Sequence, residues 1–137
     1  MRLLILLLSC VLALAGCASS SPAANALDAS QYAWSGAIRW NDFGGAINLI
    51  DPEIRKAEPL TELERKRYEQ IEISAYRDVG ATRNIEAGTA VRSIVIGVVN
   101  KHTMEQREVR YQEVWRWDEA AGTWWNTSGL PDLWAGQ

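Results

Sequence analysis

The segment Glu108-Val-Arg-Tyr-Gln-Glu-Val-Trp-Arg-Trp117 decides the fold. Val109, Tyr111, Glu113, Trp115 and Trp117 fall on every second position, with Arg110, Gln112, Val114 and Arg116 between them. A period of two belongs to a strand with one face on a core and the other in water. Asp118 to Gly122 follows as a hairpin turn in which Gly122 can take a positive φ, and Thr123 to Thr127 is the returning strand, stopped by Ser128-Gly129-Leu130-Pro131. Trp124 and Trp125 must then point to opposite faces, and Trp134 is placed to cover the outer one. Upstream, Ile94, Val95, Ile96, Val98 and Val99 are apolar at both parities, so Ala90–Val99 reads as a central strand covered on both faces over part of its length. Ile71, Ile73 and Ala75 alternate with Glu72 and Ser74 in another strand, with a bulge expected at Val79-Gly80. Glu86-Ala87-Gly88 reads as a turn, and Asn100 to Gln106 as a loop.

The period before Tyr68 is helical. Asp28 to Trp40 is expected as a helix capped by Asp28 or Ser30, its apolar stripe formed by Tyr32, Gly36 and Trp40 beside Ala33 and Ala37. Asn41-Asp42 breaks it. Phe43, Ala46, Ile47 and Ile50 stripe a second helix, ended at Asp51-Pro52 because a residue before proline avoids the α region. Pro52 to Leu60 reads as a connector, and Thr61-Glu62-Leu63-Glu64 as a capping box opening a short helix to about Arg67. Helices first and strands after, with short connections, give an α+β domain: N-terminal helices packed on a curved antiparallel sheet of about four strands.

The first residues read as an address. Arg2, an apolar run from Leu3 to Leu14 and small residues after it form a secretory signal. The run is too short to span a bilayer, which needs ~20 apolar residues. Leu14-Ala15-Gly16-Cys17 resembles the lipobox of bacterial lipoproteins. The resemblance implies cleavage before Cys17 and fatty acylation of its thiol, so the implied partner is a membrane, held through the N-terminal lipid. Residues 1–16 are then the signal peptide, 17–27 the lipidated Cys and a flexible tether, and 28–137 a single α+β domain. Ala18, in place of the Asp that signals inner-membrane retention, implies the outer membrane, facing the periplasm. Cys10 would leave with the signal, so no disulfide is expected. The formal charge of −3 and the lack of a basic run give no electrostatic case for nucleic acid.

Trp34 through Asp51-Pro52, three long strands, Val114-Trp115-Arg116-Trp117-Asp118, Gly122-Thr123-Trp124-Trp125 and Leu130-Pro131 together resemble the nuclear-transport-factor-2-like (cystatin-like) superfamily. That resemblance implies a helix-backed cone, sometimes holding a pocket carboxylate that acts as a base. Pro52 to Arg67 is short for the extra hairpin and helix common there, which implies an abbreviated cone.

Two features invite chemistry. Seven Trp residues are unusual for this length, and Trp115, Trp117, Trp124 and Trp125 share one hairpin. They read first as core and cross-strand pairs, and second as a stacking wall. Glu113, between Tyr111 and Trp115 on an apolar face, is the sharper anomaly; desolvation would raise its pKa unless Arg39 or Arg92 pairs with it. It is a weak catalytic candidate, because no second acid, base or oxyanion donor can be named. The ligand-binding candidates are Trp34, Trp40, Tyr111, Glu113, Trp115 and Trp117. His102 is the single histidine and sits in a polar loop, so no metal and no cofactor are expected. The leading expectation is a non-enzymatic, lipid-anchored envelope protein that binds a partner protein or a small apolar ligand. The rivals are a small isomerase or dehydratase centred on Glu113, and carbohydrate or peptidoglycan binding through an exposed Trp.

Overall fold

The computed structural model describes residues 21–135. The signal segment, Cys17 and the start of the tether lie outside them. Among the described residues four helices precede four strands: α1 (Pro22–Arg39), α2 (Phe43–Ile47), α3 (Pro52–Ala57), α4 (Glu62–Tyr68), then β1 (Ile71–Asn84), β2 (Thr89–Asn100), β3 (Gln106–Asp118) and β4 (Thr123–Asn126). The strands pair in chain order as one open antiparallel sheet, and the helices pack against it. The α+β expectation holds.

The first helix departs from its expected bounds and face. It begins at Pro22, with Ser21 as the N-cap accepting from Ala24 N–H and Pro22 in the first turn, where its missing N–H costs nothing. Residues 22–27 are therefore helix and not tether, and the folded domain starts before residue 28. The buried positions are Leu27, Gln31, Trp34 and Ile38, which lie at i, i+4, i+7 and i+11. Tyr32 and Trp40, expected to face the core, stand in water. The true face became visible only with Leu27, one residue outside the expected helix.

Residues 52–57, expected as a connector, also form a helix. Asp51 caps it by accepting from Glu53 N–H, and Pro52 again fills the first turn. A proline that ends one helix can open the next. The capping box at Thr61 and Glu64 is formed as expected.

The sheet carries the expected slip between Asp78 and Gly80 and a second one between Ile73 and Ala75. The second slip changes the inward set. Ile71 and Ile73 face the helices, but Tyr76 replaces Ala75 as the next inward residue, opposite Ile96. Gly97 permits this, since a Cβ there would stand 2.6 Å from Ser74 Oγ and 3.0 Å from Ala75 Cβ. Among the described residues no second layer covers the outer face of β2. Arg77 of β1, paired with Val95, and Glu108 of β3, paired with Gly97, join across it at 2.6 Å. On the inner face of β3, Val109, Glu113 and Trp115 are buried, with Tyr111 and Trp117 partly so, as the alternation requires. Gly122 takes its positive φ of 62° in the β3–β4 turn.

Candidate functional site

The centre of the domain is Glu113. Its side chain has 0% exposure. β3 points it inward, and three elements bring donors to it. Arg92, paired opposite it on β2, gives Nε to Oε2 at 2.9 Å and Nη2 to Oε1 at 3.0 Å. Trp115 Nε1 donates to Oε2 at 3.0 Å, and the Tyr76 hydroxyl donates to Oε1. Of the two arginines named from sequence, Arg92 is the partner. Arg39 instead donates to Tyr76 O at 2.9 Å and lies over the Tyr76 ring.

Arg92 is itself held from the far side. Nη2 donates to Ser35 Oγ at 3.0 Å and to Gln31 O at 3.3 Å, both on α1, and Nη1 is 4.0 Å from Asp78. The cluster thus ties α1, β1, β2 and β3 together. Burial pushes the Glu113 carboxyl up to about 8, and the Trp115 N–H pulls the other way. Burial also lowers the Arg92 pKa.

The aromatic candidates mostly fill the core. Trp34 and Trp115 are fully buried, with ring centroids 6.0 Å apart edge to face, and Trp34 stacks on Tyr111 at 6.4 Å. Trp117 packs on Trp124 at 5.6 Å. Trp34, Tyr111, Trp115 and Trp117 therefore pack in or against the core. Burial raises the Tyr111 pKa well above its ordinary range, and its hydroxyl donates to Gly129 O while accepting from Asn126. Trp124 is the buried member of its pair, donating to Ala23 O at 2.8 Å, and Trp125 donates to Asp118. Trp134 covers neither; it packs on Tyr68 and Arg67. Trp40 alone of the candidates is on the surface.

Sequence reasoning missed a second buried carboxylate. Asp51, besides capping α3, accepts from Arg116 at 2.6 Å and from the Arg116 Nε at 2.9 Å, while its N–H bonds Asn126 O. The Asp51–Arg116 pair pins the helix region to β3, and the Asn126 contacts with Ile50 and Asp51 pin it to β4. Its signal was the Asp-Pro pair, legible as a cap once Pro52 is placed in a first turn.

Open space lies elsewhere. A cleft of about 330 Å³ is lined by Ile47, Ile50, Ile54, Leu60, Tyr68 and Leu130. A polar groove of about 480 Å³ lies between α1 and the far ends of β1 and β2. Glu113 lines neither. Among the described residues no His, Cys, Asp and Glu are grouped to hold a metal, and no helix is long and apolar enough to cross a membrane.

Fold and site define an α+β domain with helices laid on an open antiparallel sheet around a buried, fully hydrogen-bonded carboxyl. No protein-family model and no curated protein matches the chain. Among solved structures it is similar to the solution structure of a SEC-C motif containing protein from Rhodopseudomonas palustris, with a TM-score of 0.60 over 82% of each chain and 16% identity. At that identity the likeness shows the fold alone.

Proposed function

We propose that the chain is a lipid-anchored binding module of the bacterial envelope, tethered through Cys17 to the outer membrane and facing the periplasm. Its fold is read as an abbreviated member of the nuclear-transport-factor-2-like group. One observation carries the non-catalytic part. Both oxygens of Glu113 already receive donors from Arg92, and Tyr76 and Trp115 add theirs. A general base needs a lone pair facing a reactant, within hydrogen-bond reach. Glu113 has its lone pairs turned to the protein, so it reads as the knot of the core.

The cleft beside α3 and α4 is the place for a small apolar ligand or an apolar side chain of a partner protein. Its floor is aliphatic, with Arg55, Glu58 and Glu64 at its rim. Mass spectrometry of the membrane fraction tests the anchor: acylated Cys17 is expected, and Cys17→Ser should release the protein. Leu60→Arg should weaken an apolar fluorescent probe at least tenfold without unfolding the domain. Turnover of any substrate that Glu113→Gln abolishes, with the fold intact, would overturn the non-catalytic reading.

A further inference from the structure

Tyr32 and Trp40 are 84% and 85% exposed. Tyr32 is on α1 and Trp40 is the residue that caps its C-terminus, eight positions and about 12 Å further along the axis. Gly36 stands midway, and a Cβ there would meet nothing within 4 Å. Two aromatic rings thus wall the ends of a recess whose floor has no side chain. Scattered surface aromatics are ordinary; a matched pair around a bare floor forms a trough.

One side of the trough is polar and mixed. Asp28 and Arg83 pair at 3.2 Å, both about half exposed. Asp78 stands 4.0 Å from Arg92, and Ser35 and Arg39 complete the wall. Carboxylate acceptors and guanidinium donors therefore alternate along a groove of about 480 Å³. The core of a protein–protein contact is depleted of charge, whereas the wall of this groove carries Asp28, Asp78, Arg39 and Arg83. A sugar hydroxyl donates one hydrogen bond and accepts others, as a serine hydroxyl does, and needs such a mixed wall. The apolar face of a pyranose ring fits an exposed aromatic.

We propose that this groove is a binding site for a short oligosaccharide, with its rings laid against Tyr32 and Trp40 and its hydroxyls on Asp28, Asp78, Arg39 and Arg83. The site is separate from the apolar cleft and does not depend on what the cleft takes. The ring spacing suits a short chain and not a single sugar. Arg39, which forms no ion pair within 4.0 Å among the described residues, is positioned to meet a carboxylate on the glycan.

The test is an NMR titration of the purified full-length chain with chitotetraose, and separately with soluble glycan strands released from peptidoglycan. The indole N–H signal of Trp40, assigned by its loss in Trp40→Phe, is expected to shift saturably with at least one of them. Trp40→Ala should weaken binding at least tenfold. Gly36→Leu puts a side chain on the floor, where a Cβ meets nothing within 4 Å, and favours the helix, so it should abolish binding in a folded protein. A preference for the carboxylate-bearing strands that Arg39→Gln removes would support the assigned role of Arg39. No shift with either glycan at millimolar concentration, or binding that survives both Trp40→Ala and Gly36→Leu, overturns the proposal. Crosslinking of a protein to the Trp40 face without any glycan binding overturns it too. Failure here leaves probe binding at the Leu60 cleft unchanged.

Discussion

At the residue scale the domain turns on a buried acid and its cation. Breaking such a pair by removing one partner costs about 3–5 kcal/mol, because the other charge is left without compensation. Arg92→Met is expected to cost that much above pH 8, where Glu113 is ionised, and less at pH 5, where the carboxyl holds a proton. The sign follows from Glu113 being raised to about 8 in the fold against an ordinary value of 4.5. The folded state holds the proton more tightly, so the contribution is complete below about pH 4.5 and is lost as pH climbs through about 8. Urea melts at several pH values should show that slope, and Glu113→Gln should flatten it while keeping the fold. Trp115→Ala should cost about 3–5 kcal/mol as a core truncation, and Arg110→Ala on the wet face should stay within about 0.5 kcal/mol. Equal losses at both sites would contradict the face assignment. The anomaly at Glu113 was legible because an alternating strand places each residue on a known side. Tyr76 was not, since a single slipped residue at Ser74 reverses the parity after it.

At the element scale the packing of β1 on β2 depends on one missing side chain. Gly97→Ala would drive a methyl into Ser74 and the Ala75 backbone. It is expected to cost about 1–3 kcal/mol, as overpacking does, and to disturb the amide signals of Ser74 to Tyr76 in an NMR spectrum. An unchanged β1 would show that the slip does not need Gly97. Helix bounds were the least legible elements. The Ser-Pro pair at 21–22 looks like tether by composition, yet it is a cap followed by a first-turn proline. Asp51-Pro52 hid α3 in the same way. Small and polar residues mark helix starts as well as linkers, so composition cannot separate the two. The β3–β4 hairpin was legible because its turn glycine and alternating aromatics agree with each other.

At the scale of the whole molecule the boundary of the folded unit sets what can be removed. A chain beginning at Asp28 loses Leu27, the Ser21 cap and the Ala23 carbonyl that accepts from Trp124. It should be less stable than one beginning at Ala18 by at least the ~2–5 kcal/mol of a deleted core leucine, read from urea midpoints of the two chains. The early start of α1 also bears on how the protein stands. With Cys17 acylated as proposed, four residues separate the anchor from Pro22, and five extended steps reach at most ~18 Å. The entry end of α1 would then lie within that distance of the lipid. The helix runs about 27 Å from Pro22 to Arg39, so the aromatic trough between Tyr32 and Trp40 would sit on the half of α1 remote from the anchor.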